Sequence, residues 1–126
     1  MYKIVFIILL TSVSLFSGEI ILGYYPAWVH SRLPAEDIDF EKLTHVAHSF
    51  IWPEPDGSIS SYSNMVYPEL IYHAHEAGKK VIVAIGGWGQ CEGFSPMVSD
   101  SASRGNFVSN ILDYCLLHEY DGIDID

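Results

Sequence analysis

Three aspartates crowd the segment "EYDGIDID", residues 119–126: Asp121, Asp124 and Asp126, interleaved with Ile123 and Ile125. In an extended strand successive side chains point to opposite faces, so Asp124 and Asp126 share one face and the two isoleucines the other. Two carboxylates side by side on a buried face are costly, because desolvation and mutual repulsion both disfavour ionisation. Such a pair persists when one holds a proton for the other, or when a third group uses both. Either case makes it a candidate for acid–base chemistry. A turn cap or a cation site would account for the same residues more plainly. Asp121 has the opposite parity and would support the strand from below.

The elements that must position these groups follow from hydrophobic patterning. "EIILGYYPAWV" reads as a strand ending near Tyr25, with Pro26 as breaker. "LPAEDIDFEKL" is a short acidic connection with helical character, and "THVAHSFIW" is a second strand stopped by Pro53, Pro55 and the turn pair Asp56-Gly57. From Asn64 to Ala77 the apolar residues Tyr67, Leu70, Ile71 and Ala74 recur at helical spacing, with Gly78 placed as a left-handed C-cap. "VIVAI" is apolar throughout, as a strand covered on both faces should be. A Gly-rich loop, "GGWGQCEGFSP", leads to a second helix within "SASRGNFVSNILDYCLLHEY", whose Phe107, Val108, Ile111, Leu112, Cys115 and Leu116 share a face. "YDGIDID" is then the fourth strand.

Strands alternating with helices predict an α/β fold with a parallel sheet and right-handed crossovers. A doubly wound nucleotide-binding sheet would carry a glycine fingerprint after its first strand, whereas this chain has "YYPAWV" there. The remaining architecture is a (β/α)₈ barrel, which needs about 250 residues. Residues 19–126 are therefore read as its first half, strands one to four.

Bulk properties narrow the function. The 126-residue chain carries 6 Lys plus Arg against 16 Asp plus Glu, a formal charge of −10. That balance repels nucleic acid and anionic lipid. Residues 1–18, "MYKIVFIILLTSVSLFSG", have the basic start, short apolar centre and small residues of a secretory signal, too short an apolar run to span a bilayer. Export is expected, with no membrane attachment after cleavage. Cys91 and Cys115 are the only cysteines, as open to one disulfide as to two free thiols. No Cys/His spacing suggests zinc; His45, His48, His73 and His75 read as structural or surface residues.

At this point the motifs resemble a family. "DGIDID" is similar to the start of the D-G-x-D-x-D-x-E signature of glycoside hydrolase family 18, the chitinases and their relatives, a (β/α)₈ barrel with that signature on strand four. "AIGGWG", Ala84 to Gly89, resembles its S-x-G-G motif on strand three, and "YYPAW" and "THVAHSF" resemble strands one and two. The resemblance covers residues 19–126. It implies substrate-assisted hydrolysis of β-1,4-linked N-acetylglucosamine polymers such as chitin, in which the substrate's own acetamido group is the nucleophile. Asp126 would orient that group and Asp124 would exchange a proton with Asp126. Asp121 would belong to the same catalytic signature. Tyr24, Trp28, Phe50 and Trp88 would contact sugar, and Gly86 and Gly87 would let the backbone turn tightly beneath it. No cofactor or metal is implied.

Two departures from the family pattern matter. The acid Glu of the signature would fall at position 128, past the last residue, so the sequence is read as a truncated one. Ala84 stands where the motif has Ser, leaving Asp124 with one donor fewer. Two alternatives on the same fold remain: a lectin-like sugar binder, and a hydrolase of peptidoglycan or N-linked glycan cores.

Overall fold

A computed structural model describes residues 18–126; all of the expected export signal except Gly18 lies outside them. Strands β1 (Leu22–Pro26), β2 (His45–Pro53), β4 (Lys80–Ile85) and β5 (Gly122–Ile125) form one parallel sheet in the order β1-β2-β4-β5. A short strand β3 (Ile59–Ser61) returns antiparallel against the end of β2. Helix α1 (Pro68–Glu76) joins β3 to β4, while α2 (Phe94–Ser99) and α3 (Ser101–Leu117) join β4 to β5. This is the first half of a (β/α)₈ barrel. The connection from β1 to β2 holds only three 3-10 turns, Ala27–Val29, Ala35–Asp37 and Phe40–Lys42.

Register fixes the faces. Tyr24, Ala47, Ile82 and Gly122 lie in one row across the sheet, and Pro26, Ser49, Ala84 and Asp124 in the next row on the same face. The opposite face carries Tyr25, Val46, His48, Val81, Val83 and Ile85, all buried with Leu70, Ile71 and Ala74 of α1. Ile123 and Ile125 lie on that outer face too. They remain about half exposed, so the expected packing against helices is only partly realised.

Local chemistry sets the element ends. α1 begins at Pro68, four residues later than the apolar pattern predicts, because Tyr67 precedes a proline and is held extended (φ −138°, ψ 81°). Gly78, with φ 69°, ends it: its N–H donates to the carbonyl of His75 and that of Lys79 to Ala74. The stretch read as a continuous loop through Pro96 instead contains α2. Pro96 is its third residue, where the backbone N–H has no helical partner to lose. Asp100 caps α3 by accepting from the N–H of Ser103 at 2.8 Å. The shared apolar face expected for α3 divides: Ile111 and Cys115 are buried, whereas Val108, Leu112 and Leu116 are exposed.

β3 escaped the sequence reading because three residues, two of them serines, show no period. Its turn is built from polar groups: Asp56 accepts from the N–H and the hydroxyl of Ser58, and Gly57 takes φ 87°. The turn is then fastened to α3, since Asn110 donates to the Gly57 carbonyl at 2.9 Å. Both cysteines are free thiols, Cys91 exposed and Cys115 buried. Among the described residues no helix is long and apolar enough to cross a membrane.

Candidate active site

The inner face ends, at the C-terminal edge of the strands, in Asp124 and the chain's last residue, Asp126. The N–H of Asp126 donates to the carbonyl of Ile85 at 2.9 Å, which continues the β4–β5 ladder up to the carboxylate pair. Tyr24, on the far strand of the sheet, donates its hydroxyl to Oδ2 of Asp124 at 2.5 Å. β1 and β5 are three strand spacings apart, about 14 Å in a flat sheet. A tyrosine and an aspartate cannot meet over that span, so the contact exists because the sheet is curled as a barrel wall is. The bond to Asp124, then partial burial, then the negative charge of Asp124 and Asp126 push the phenol up to about 12. It therefore remains a donor at any physiological pH.

Asp121 stands apart, before the other end of β5. Its carboxylate accepts from Lys80 Nζ at 2.6 Å and from the Val81 N–H at 2.8 Å, and His75 Nε2 lies 2.8 Å away. Burial alone would raise this acid; Lys80, the Val81 N–H and His75 together hold it below the usual carboxylate range. Asp121 thus ties β4 to β5 from below, in keeping with its parity.

The loop after β4 is pressed against the carboxylates. Gly86 has φ 113°, and a Cβ there would come within 2.3 Å of the Asp126 carbonyl oxygen. Gly87 has φ 85°, and a Cβ there would strike the Phe50 ring at 2.9 Å. Both positions need glycine for conformation and for space at once. Gly93, at the loop's far end, approaches β2 more closely still, its would-be Cβ 1.8 Å from the Pro53 oxygen. Trp88 between these anchors is fully exposed.

The aromatic residues line up along the same edge. Phe50 lies 6.3 Å from Tyr24 and 6.4 Å from Trp28, centroid to centroid, where the β2 register shifts between Ser49 and Ile51. Trp28 meets Tyr62 edge-on at 5.7 Å, and Tyr62 meets Trp52 at 5.2 Å. The turn carrying Trp28 is held by Asn64, which donates to the Ala27 carbonyl at 2.6 Å. The structure therefore gathers Tyr24, Phe50, Trp28, Gly86, Gly87 and Asp124 with Asp126. Trp88 stands free beside them. Tyr62 and Asn64 had no signal in the sequence beyond their place after a turn. Trp52 gains a neighbour that makes it part of the row. Among the described residues no cluster of three or more His, Cys, Asp or Glu could hold a metal ion.

This arrangement can be compared with known proteins. The profile of glycosyl hydrolases family 18 matches residues 20–126. The chain belongs to glycosyl hydrolase family 18. Among its relatives, "Probable chitinase 10" of Drosophila melanogaster is 31% identical over 84% of this chain, and a "chitinase-like effector" of Moniliophthora roreri is 31% identical over 95%. The chain spans only 5% and 31% of the length of those two proteins. A crystal structure of chitinase RmChi1 from Rhizomucor miehei matches 86% of this chain and 33% of its own, with TM-score 0.75 and 30% identity. Ala84, fully buried, occupies the row position beside Asp124.

Proposed function

We propose that the protein containing this chain is an exported chitinase-type hydrolase that cleaves β-1,4-linked N-acetylglucosamine polymers with help from the substrate's acetamido group. The observation that carries this reading is the hydrogen bond from Tyr24 to Asp124, with Asp126 on the same face next to the Gly86-Gly87 turn. Asp126 receives the acetamido N–H and holds its carbonyl oxygen in line with the anomeric carbon. Asp124, neutralised by the proton it shares with Asp126, releases Asp126 for that task. Positive charge develops on the ring and the acetamido nitrogen, and an anion fixed beforehand in a water-poor site stabilises it. The exposed rings of Tyr24, Trp28 and Trp88 offer faces on which pyranose rings stack. The acid that protonates the glycosidic oxygen is assigned to position 128, on a following segment that also completes the barrel. Relatives named chitinases support the polymer, and the signal-like pattern of residues 1–18 supports export.

The test is hydrolysis of chitin oligosaccharides by the full-length protein and by its Asp126→Asn variant. The variant is expected to lose at least about a hundredfold in kcat, the scale of removing one preorganised electrostatic group. Wild-type protein that binds the oligosaccharides without cleaving them would sink the hydrolase. That outcome favours the second reading, a sugar-binding protein with a silent site, to which Ala84 in the motif position lends support.

A further inference from the structure

Trp28 and His30 stand two residues apart on the turn after β1, Ala27–Val29 with His30 at its end, and their side chains go to opposite sides. The Trp28 indole reaches the aromatic edge beside Phe50 and Tyr62 and is half exposed. The His30 imidazole turns instead into the layer behind the sheet. It stacks on Tyr67 at 4.1 Å and lies nearly parallel to Tyr25 at 5.3 Å. Its Nε2 meets Nε2 of the buried His48 at 3.2 Å, so one of the two nitrogens carries the proton and the other accepts it. The same tyrosines hold the chain that follows. Tyr25 donates its hydroxyl to the Leu33 carbonyl at 2.6 Å, and the Ala35 N–H donates to the Tyr67 hydroxyl at 3.2 Å. On its other side the turn is tied by Asn64, whose amide donates to the Ala27 carbonyl at 2.6 Å. Asn64 comes two residues after Tyr62, so one segment supplies both this tie and the ring that meets Trp28 edge-on.

An exposed indole serves a sugar best when it is already oriented, because freedom lost on binding weakens affinity. The rings of Phe50 and Tyr62 limit where the Trp28 ring can lie, but they do not hold the backbone that carries it. We propose that His30 and Asn64 are positioning residues for Trp28, clamping its turn from two sides so that the indole presents one face to a pyranose ring. The clamp is a stacked and hydrogen-bonded imidazole behind the sheet and an amide on the groove side, and neither group has to touch the sugar. The inference rests on the proposed sugar contact of Trp28 and adds the residues that hold that contact in place.

Two variants loosen the clamp without emptying the core. His30→Gln removes the stacked ring and keeps a polar group within reach of His48, while Asn64→Ala removes the amide at an exposed position. In the full-length protein each is expected to raise KM for N-acetylglucosamine oligomers about threefold to tenfold with kcat held, the scale of ordering one side chain on binding. Trp28→Ala is expected to raise KM at least about tenfold, as the whole stacking face is lost. Adding either clamp variant to Trp28→Ala is expected to change nothing further, because groups that act through one ring are not additive. An unchanged KM in either clamp variant overturns the proposal, and so does a loss that adds in full to that of Trp28→Ala. The reading beneath it fails in other ways. Trp28→Ala with wild-type affinity would remove the sugar contact and the clamp's purpose together. A full-length protein that hydrolyses nothing would refute the hydrolase alone, since the same fold-changes are then read as Kd for the oligomers by calorimetry.

Discussion

At the level of single residues, the Tyr24 hydroxyl donates to the Asp124 carboxylate, and it does so only while it carries its proton. Because the Asp124 bond pushes the phenol up to about 12, Tyr24 gives no alkaline limb to activity where an ordinary tyrosine would begin to titrate. Tyr24→Phe keeps the ring beside Phe50 and removes the donor. We expect kcat of the full-length protein to fall about tenfold to a hundredfold while sugar affinity changes little, as a bond to a charged acceptor is lost and a stacking face kept. Steady-state kinetics on one oligosaccharide check this; a raised KM with unchanged kcat would mean that Tyr24 only binds. The carboxylate pair was legible in the sequence because strand parity is strict: two residues apart means one face. The donor to that pair was not legible. Tyr24 and Asp124 are 100 residues apart in the chain, and only sheet curvature joins them.

Among the elements, β2 carries two different burdens on its two faces. Its inner face buries Ser49 in the row that ends at Asp124; its outer face buries His48 completely under the helical layer. His48 Nδ1 lies 2.8 Å from the Tyr120 hydroxyl and its Nε2 3.2 Å from Nε2 of His30, while the Tyr25 ring stands 5.8 Å away. Glu69 of α1 is the acidic group that acts on this corner, through His30, which stacks on Tyr67 at 4.1 Å. Burial first, and then His30, pushes His48 down to about 3; burial lowers His30 as well, against Glu69. A histidine depressed in the folded state takes its proton more readily when unfolded, so stability is full above the unfolded value near 6.5 and declines as pH falls below it. By about pH 5 the loss from His48 alone is about 2 kcal/mol. His48→Gln, which keeps a polar group for Tyr120 and His30, is expected to flatten the fall of Tm between neutral pH and about pH 5. An identical slope in both proteins would place the acid sensitivity elsewhere. Patterning found β2 and both long helices because their buried faces repeat. It misplaced the start of α1 because a proline's effect on the preceding residue overrides an apolar stripe. It passed over β3 because that strand is held by the Asp56–Gly57 turn and by Asn110 of α3, contacts that leave no period.

On the scale of the whole molecule, the sheet of the described residues has two unpaired edges, β1 and β5, and exposed apolar side chains lie beside both, Ile20, Ile21 and Leu22 at the first. Ile123 and Ile125 on β5 are 46% and 57% exposed, and Val108, Leu112, Leu116 and Leu117 of α3 extend the same surface. Phe94, Met97, Val98, Phe107, Val108 and Ile125 line an apolar groove between α2, α3 and β5. Under the proposed reading, the barrel's second half continues from β5, covers this groove with its next helix and returns to pair with β1. Residues 18–126 alone leave that surface in water, together with two rows of unpaired backbone groups, which favours association over folding. The strand–helix contacts already made are native ones, so local order is expected without cooperativity. Purified residues 18–126 should show far-ultraviolet circular dichroism of an α/β chain, bind a hydrophobic dye and melt without a sharp transition. Their formal charge of −11, one more negative than the whole chain because Lys3 is left out, slows aggregation but does not cover the groove. A cooperative, dye-free transition from a monomer would instead mean that five strands and three helices suffice for a folding unit. In that case the acid at position 128 would be added to a preformed half-site, and Tyr24 and Asp124 would already be joined before the barrel closes.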